Sequence, residues 1–412
     1  MTAEIANKEL STSSAGPDVP TMTLHELDAD THGTFRRYRR DHPVVLHEAG
    51  SYFVLRMADV ERLSKDVRLI GSGTAIPEMT GFKQGAIFDT FDYGMLTANG
   101  DVHRRRRAPF SKLFAARAIS QMRPRIRRVI EHIIDEWYED GETNLIEALS
   151  APLPAHVIAD MFGLPDGDIP DFARDSYEVT KVFLFGLQPD ELASIEQAGQ
   201  RLRDYVARAL DDRRRNPRDD FLTAFLAAAD EAGEMSPEEM VFQIVMLIAG
   251  ATDTTRVAMV MQVALLLQHR AQWDAVCRDP ALIPAAVSES LRLEPSAAAA
   301  GRIAVEDIEV DGTIIPAGSF VTLSTMSAMR DERSFDRPNT FDIGRSGQMR
   351  MHAVFGYGVH RCIGGALARA ELEEGLAALT ARIPRMQLDV APTLVGHFGI
   401  RRIDQMRVSW KP

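Results

Sequence analysis

Cysteine is nearly absent from this chain. Only Cys277 and Cys362 occur in 412 residues, which excludes a disulfide framework and any zinc or iron–sulfur site built from several cysteines. Any thiolate chemistry must therefore depend on one cysteine. A lone cysteine is ordinarily a small buried hydrophobic residue, so a chemical role has to be supported by the residues around it.

An excess of basic residues is also lacking. The 47 Lys and Arg residues face 59 Asp and Glu residues, a formal net charge of −12, which argues against nucleic acid or an anionic membrane surface as a partner. The first residues, rich in Ser, Thr, Ala and Pro, contain no apolar run typical of a signal or anchor. We therefore expect a monomeric cytoplasmic protein.

Repeats, low-complexity blocks and linkers rich in Pro, Gly or Ser are absent as well. We accordingly expect a flexible N-terminal segment, residues 1–20, followed by a single domain, residues 21–412. The composition, 45% hydrophobic and 26% charged, is typical of a globular protein with a sizeable core.

Helical periodicity dominates this domain. Helices are predicted over much of residues 102–136, 143–163, 190–215, 236–269, 280–293 and 364–383. The β elements are minor: a hairpin over 43–56 and short strands within 308–323, around the turn Asp311-Gly312. The fold class is therefore mainly α with a small β-rich part.

The helix that begins near Ser236 is the longest. A capping box of Ser236 and Glu239, with Pro237 at the first helical position, defines its start. It would run for roughly 33 residues, on the order of 50 Å. Asp253 near its middle would be costly in lipid, so we interpret it as a buried central helix rather than a membrane span. A buried carboxylate is normally paired, hydrated or functional, so Asp253 needs an explanation.

The strongest signal is the segment HAVFGYGVHRCIGG at residues 352–365, which leads directly into a helix. Free amide groups and the positive end of a helix dipole would stabilise a thiolate at Cys362. Gly356, Gly358 and Gly364 would let the backbone approach a flat macrocycle. A thiolate ligand donates electron density to a haem iron and favours cleavage of the O–O bond.

These residues resemble the haem-ligand motif of the cytochrome P-450 superfamily, in its soluble bacterial form. The likeness extends over nearly all the chain, and the fixed motif positions are filled by Phe355, Gly356, Gly358, His360, Cys362 and Gly364. The resemblance implies a large helical part with a long central helix and a small β-rich part. It also implies haem b, with Cys362 as the ligand of the iron.

Other segments agree with the resemblance. Glu289 and Arg292 match the acid–arginine pair that the family carries upstream of its ligand loop. Their spacing places them on one helix face, from which they could reach the later segment 335–341. We assign this pair to folding of the haem pocket, although exposed pairs of this spacing are common.

Asp253 and Thr254 resemble the acid and alcohol that the family places beside the oxygen-binding face of haem. Two protons must reach dioxygen before its O–O bond breaks, and these side chains could relay them from solvent. The alternative is a helix distortion caused by threonines that bond back to carbonyls, and both can hold. Ala251 departs from the family, since many members have a glycine there.

The resemblance also implies donors for the two haem carboxylates. Charge-assisted donors are needed for such groups near a protein interior. The expected donors are His103, Arg107, Arg302 and His360, with His352 as a further candidate that a structural role would explain equally well. Phe355, Gly356, Gly364 and Ala251 are the remaining expected contacts of the cofactor.

A local basic stretch interrupts the acidic chain. It comprises HRRRR at 103–107 and then Arg117, Arg123, Arg125, Arg127 and Arg128. One interpretation is a solvated helix face with acidic neighbours. The other, implied by the resemblance, is an anion site and a dock for an acidic ferredoxin, which a NAD(P)H-dependent reductase would supply with electrons.

The substrate pocket is expected to be mostly apolar, although core packing alone would explain about half of its candidates. These candidates are Phe88, Phe91, Val182, Phe185, Leu247, Ala251, Ala298 and Phe398. We expect a small, neutral, mostly apolar substrate that is hydroxylated or O-dealkylated. Two alternatives are a peroxide-using or electron-independent haem-thiolate enzyme and a haem sensor without turnover; Asp253 and Thr254 argue against both.

Overall fold

The computed structural model describes residues 19–184, 187–347 and 353–412. Its α-helices are α1 (Leu24–Ala29), α2 (Thr31–Asp41), α3 (Met57–Leu63), α4 (Ala75–Thr80), α5 (Ala86–Tyr93), α6 (Gly100–Leu113), α7 (Ala116–Trp137), α8 (Pro152–Phe162), α9 (Ile169–Thr180), α10 (Pro189–Arg215), α11 (Phe221–Ala232), α12 (Pro237–Gln268), α13 (Arg270–Arg278), α14 (Ile283–Leu293), α15 (Thr325–Ala328) and α16 (Gly365–Arg382). The prediction of a flexible segment over residues 1–20 falls almost wholly outside the described residues and stays a prediction.

The strands are short. They are β1 (Thr21–Met22), β2 (Val44–His47), β3 (Tyr52–Val54), β4 (Leu69–Ile70), β5 (Glu142–Asn144), β6 (Ala299–Ala304), β7 (Ile308–Val310), β8 (Thr313–Ile315), β9 (Phe320–Ser324), β10 (Gln387–Val390), β11 (Leu394–Val395), β12 (Arg402–Ile403) and β13 (Arg407–Ser409). Single helical turns of other types lie at Tyr138–Asp140, Ile146–Ser150, Asp166–Asp168, Lys181–Phe183, Pro280–Leu282 and Gly358–His360. The mainly α class with a small β part is confirmed.

The chain divides into two compact units, each assembled from several stretches. The first takes in the chain up to Ser72, Pro284–Cys362 and Thr393–Ile403. Its main sheet has the order β1-β2-β3-β9-β6-β4, and the predicted hairpin is its β2–β3 pair, with Val44 opposite Val54. The second predicted turn joins β7 to β8, where Asp311 and Gly312 adopt φ values of 50° and 82°, as a tight hairpin turn requires.

The second unit takes in Gly73–Ile283, Ile363–Pro392 and Asp404–Pro412 and is mostly helical. Its longest element is α12, 32 residues with the predicted capping box: Ser236 accepts from the amide of Glu239, and Pro237 occupies the first turn. The helix is long and apolar enough to span a membrane, but 78% of its most apolar window is buried inside the protein. A central core helix, as predicted, accounts for this burial. Whether the two units form the single predicted domain stays a prediction.

Two of the predicted helical segments differ from the structure. The segment 102–136 is two helices, because the chain turns where Phe114 packs edge-on against Phe221, with ring centroids 5.5 Å apart. The start of 143–163 was wrong, since Glu142–Asn144 is strand β5, paired antiparallel with β13. The partner strand lies far along the chain, so local periodicity carries no sign of it.

Candidate active site

The cysteine loop, residues 353–364, is held by its own backbone. The Cys362 amide donates to the carbonyl of Phe355 at 2.8 Å, and the Gly356 amide donates to that of Ala353 at 2.8 Å. Gly356 and Gly358 adopt positive φ values of 74° and 67°, which favour glycine. Cys362 is exposed on this loop, so its sulfur is presented rather than packed into a core.

The glycines of the loop have different structural roles. A Cβ on Gly358 would lie 2.5 Å from the carbonyl oxygen of Ser64, so this glycine lets the loop approach another part of its own unit. A Cβ on Gly356 or Gly364 would meet nothing within 4 Å. Open space beside these two residues fits the close approach of a flat ligand, as the sequence predicted.

The predicted helix follows the loop. It is α16, whose N-cap is Gly364, two residues after Cys362. Free amide groups of a first helical turn and the helix dipole favour a thiolate close by. With no disulfide in this chain to occupy Cys362, the donor set fits thiolate ligation of a haem iron.

The predicted acid–arginine pair of α14 is a buried cross-link. The Nε and Nη2 atoms of Arg292 each lie 2.8 Å from a carboxylate oxygen of Glu289, and both side chains are almost completely buried. Nη1 also donates to the carbonyl oxygens of Met329 and Pro338, and Nη2 to that of Thr340. The pair thus reaches the segment 335–341, as predicted.

Arg302 lies on β6, with its guanidinium largely shielded from solvent. Burial lowers the pKa of Arg302, and its one described hydrogen bond runs to the carbonyl of Gly301, at 2.7 Å. Among the described residues it has no carboxylate partner, so a bound anion would satisfy it. This fits a haem carboxylate. His360 is half-buried in the cysteine loop, while His352 lies outside the described residues.

His103 and Arg107 lie one turn apart on α6, which places them on the same helix face. His103 is buried and Arg107 is half-buried. Both belong to the second unit. Their common face and burial suit an anion site near the start of this helix.

The acid of the long helix is paired. The Asp253 carboxylate lies 2.5 Å from Nη2 of Arg256 and accepts a hydrogen bond from Thr180 Oγ1 at 3.2 Å. The half-buried Thr254 donates to the carbonyl of Gly250 at 3.1 Å, as the helix-distortion alternative requires, yet α12 continues without interruption. The Thr254 oxygen keeps its lone pairs for an incoming donor.

Sequence reasoning missed the partners of Asp253. Arg256 could have been found, because an arginine one turn after an aspartate is a common helical ion pair. Thr180, which comes from α9, left no such signal, and neither did Tyr177 of the same helix, whose ring lies against the Arg256 guanidinium. Also missed was Glu371 of α16, a fully buried carboxyl whose pKa is raised to about 8 by burial.

Most of the predicted basic stretch is engaged within the second unit. Arg105 and Arg106 bind Glu239, Arg123 binds Glu373 and Glu374, Arg127 binds Glu374, Arg125 binds Asp160 and Arg104 binds Asp101. For these residues the interpretation as a helix face with acidic neighbours is favoured. Arg117 and Arg128 are exposed and have no acidic partner among the described residues.

The predicted substrate contacts separate into two groups. In the second unit, Phe91 packs against Phe183 with centroids 5.7 Å apart; Phe91, Val182 and Leu247 are buried, while Phe88 and Ala251 are half-buried. In the first unit, Ala298 and Phe398 belong to one hydrophobic cluster. The ring centroids of Phe398 and Phe53 lie 5.1 Å apart in this cluster. Phe185 lies outside the described residues.

Comparisons with known proteins agree with this geometry. The family model described as cytochrome P-450 matches residues 77–278 and 278–382. The chain is 39% identical to plant-inducible cytochrome P-450 pinF1 of Rhizobium radiobacter over 95% of this chain and 93% of that protein. It is 33% identical to the cytochrome P-450 monooxygenase PikC of Streptomyces venezuelae over 78% and 76%.

Solved structures extend the likeness to the fold. The crystal structure of CalO2 superposes with a TM-score of 0.85 at 28% identity, covering 94% of this chain and 97% of that one. A TM-score of this size over nearly the full length indicates the same arrangement of helices and strands.

Proposed function

This chain belongs to the cytochrome P-450 family, and we propose that Cys362 ligates its haem and that it inserts one oxygen atom into a small, mostly apolar organic substrate. Members of the family are oxygen-dependent haem-thiolate monooxygenases that bind haem b through a cysteine. The observation that carries the proposal is the exposed Cys362 on a glycine loop just before α16.

The overall reaction is a hydroxylation, or an O-dealkylation that begins as one. Haem with a thiolate ligand supplies the activation of dioxygen: two electrons and two protons reduce one oxygen atom to water while the other enters a C–H bond. The chain's own residues bind the cofactor, orient the substrate and move protons.

Proton delivery falls to Asp253 and Thr254. Asp253 has a counter-charge and is nearly buried, so it is held in the interior where it can pass on a proton taken from solvent. Thr254 can accept a hydrogen bond from water and hold it in place. Ala251, one turn before Thr254, adds a methyl group where many family members have glycine. This methyl narrows the space beside the helix.

Cofactor binding depends on side-chain hydrogen-bond donors and on loop residues whose backbone leaves space for a flat ligand. The donors we assign to the haem carboxylates are Arg302, His360, His103 and Arg107. Phe355, Gly356 and Gly364 are assigned to the face of the macrocycle. Arg302 supports this assignment because burial lowers its pKa and no carboxylate among the described residues forms an ion pair with it.

Electrons come from an acidic ferredoxin and its NAD(P)H-dependent reductase, in the cytoplasm, with the enzyme as a monomer. Arg117 and Arg128 support this proposal because they are exposed cations of α7 that no acidic side chain in the described ranges neutralises. Charge reversal at both should raise the KM for an acidic ferredoxin. Reversal at Arg215, an exposed residue at the end of α10, is the matched control.

The apolar candidates define what enters the pocket. Phe88, Phe91, Val182, Leu247, Ala251, Ala298 and Phe398, together with Phe185, carry no charge, which suits a neutral substrate. A screen for compounds that convert the ferric protein from low to high spin would identify the class, because binding then displaces water from the iron.

The absorption spectrum of the reduced carbon monoxide complex tests the central assignment. We expect a thiolate-type Soret band in the wild type and in Cys277→Ser, and its loss in Cys362→Ser. A histidine-like band in the folded wild type would contradict the proposal. NADH-dependent incorporation of one atom of labelled dioxygen into product distinguishes a monooxygenase from a peroxide-using enzyme.

A further inference from the structure

The Asp253 carboxylate is held by side chains that neither the family motif nor the proposed roles account for. We propose that Arg256 and Tyr177 are positioning residues that fix the orientation of Asp253, an inference that rests on the proposed monooxygenase function. Asp253 and Arg256 come from α12, while Tyr177 comes from α9.

Both carboxylate oxygens of Asp253 are engaged. Oδ1 lies 2.5 Å from Nη2 of Arg256, one turn later on the same helix, as an ion pair without hydrogen-bond geometry. Oδ2 lies 3.2 Å from Thr180 Oγ1, whose single proton is shared with the carbonyl of Tyr177 at 2.8 Å. Contacts at both oxygens leave the carboxylate little freedom to rotate about its terminal bond, so the orientation of this acid is set by two helices.

Tyr177 supports the arginine rather than the acid. The guanidinium carbon of Arg256 lies 4.9 Å from the centroid of the Tyr177 ring, in cation–π range. The phenol donates to the carbonyl of Ala151 at 2.5 Å, which fixes the ring. Burial raises the pKa of Tyr177, so the phenol stays neutral and offers a π face instead of a second charge.

Arg256 is the one cation paired with Asp253 among the described residues. A buried carboxylate without a counter-charge is strongly destabilised, and it responds by taking up a proton or by turning away. The Arg256 side chain is 22% exposed and that of Asp253 10%, so the arginine is the more exposed member of the pair. Loss of Arg256 should therefore disturb the relay itself.

An exposed ion pair on α9 offers a matched control. Asp171 and Arg174 of α9 form an ion pair of identical spacing at 2.6 Å, but their side chains are 77% and 58% exposed. An exposed pair of this kind contributes little and lies outside the proposed machinery. Arg174 also contacts the buried Asp175 at 3.3 Å. Arg174→Gln removes an arginine of equal size and spacing without touching Asp253.

The first test compares product formed per NADH consumed in the haem-loaded enzyme with its redox partners. Arg256→Gln should lower this ratio roughly tenfold, less than the about hundredfold cost of a ~1 Å misplacement of a reacting group. Arg256→Lys should restore part of it, and Tyr177→Leu should fall between. Tyr177→Phe, which keeps the ring but loses its bond to Ala151, should fall between Tyr177→Leu and the wild type. Arg174→Gln should match the wild type. Equal ratios for Arg256→Gln and wild type would overturn the proposal.

The second test does not depend on turnover. Unfolding rates of the haem-loaded protein are measured for Arg256→Gln, Asp253→Asn and the double variant. Contact between the two side chains should make the combined effect depart from additivity by about fivefold or more, whereas Arg174→Gln with Asp171→Asn should be additive within about twofold. Additive behaviour of the buried pair would contradict the inference.

The two hypotheses fail in different ways. A wild-type protein that shows no thiolate-type spectrum and no product refutes the proposed function. A wild type that turns over, with Arg256→Gln equally well coupled, refutes only the positioning role. Failure of Arg256→Lys to exceed Arg256→Gln would do the same, because a charge-based role requires rescue by the second cation.

Discussion

Two buried acid–arginine pairs of identical spacing lie in different units of this protein. In Glu289–Arg292 of α14 the side chains are 1% and 0% exposed, whereas in Asp253–Arg256 of α12 they are 10% and 22% exposed. Both pairs place a carboxylate against a guanidinium one turn away. Their surroundings differ, and so do the roles that follow.

The first pair is saturated with partners. Arg292 donates to Glu289 and to three backbone carbonyls, and Glu289 also binds Arg345 at 3.1 Å. The second pair is not saturated, since the buried Nε of Arg256 has no hydrogen-bond partner among the described residues. A saturated pair has no donor or acceptor left for a further partner, which suits a brace. An unsaturated pair keeps hydrogen-bonding capacity for water, which suits proton transfer.

Breaking the brace should have the largest effect. Arg292→Leu removes one of the two guanidinium groups that bind the buried Glu289 carboxylate and leaves three backbone carbonyls without their donor, at a cost of about 3–5 kcal/mol. We expect little folded, haem-loaded protein, measured by the yield of the thiolate-type carbon monoxide spectrum. The control is Arg337→Leu, an exposed arginine in the neighbouring segment. A normal yield for Arg292→Leu would contradict the structural role.

Removing the acid of the second pair should leave the fold intact and impair turnover. Asp253→Asn keeps the shape but not the charge, so product formation should fall by about hundredfold, the lower range for loss of a general acid or base. The solvent isotope effect on turnover should rise. Wild-type rates in Asp253→Asn would show that protons take another route.

Glu371 is a third buried carboxyl, and it forms no ion pair with an arginine among the described residues. Its folded-state pKa of about 8 lies above the ordinary 4.5, so the folded protein holds a proton that the unfolded chain releases. The stabilising contribution is complete below about pH 4.5 and is lost as the pH rises through about 8, with a slope of at most about 1.4 kcal/mol per pH unit.

Glu371→Gln should remove that slope. The measurement is the free energy of unfolding, or the unfolding rate, at several pH values between 5 and 8, with the exposed Glu136→Gln as control. An unchanged pH dependence in Glu371→Gln would show that this carboxyl is ionised in the folded protein.

The smallest effects should come from Thr254. Thr254→Ser keeps the hydroxyl and should couple NADH use to product within about twofold of the wild type. Thr254→Ala removes the hydroxyl and should divert electrons to hydrogen peroxide. Unchanged product per NADH in the alanine variant would remove Thr254 from proton delivery.

Local patterns were enough to predict much of the fold and of the candidate site. The capping box of Ser236 and Glu239 located the start of α12, since such signals act within one helical turn. The pairing of Glu142–Asn144 with β13 could not be predicted in this way, because it joins distant stretches of chain. Arg117 and Arg128 could likewise be distinguished from the neighbouring arginines only when the structure located the acidic partners of those neighbours.

The sequence by itself determined the family, the ligand loop around Cys362, the acid and alcohol of α12 and the acid–arginine pair of α14, because each is a pattern of neighbouring residues. Only the tertiary structure decided which arginines are neutralised, that Tyr177 and Thr180 reach the Asp253–Arg256 pair, and that Glu371 is buried with no ionic partner in the described part of the chain. These depend on which side chains from distant elements meet and on how much water is excluded where they do.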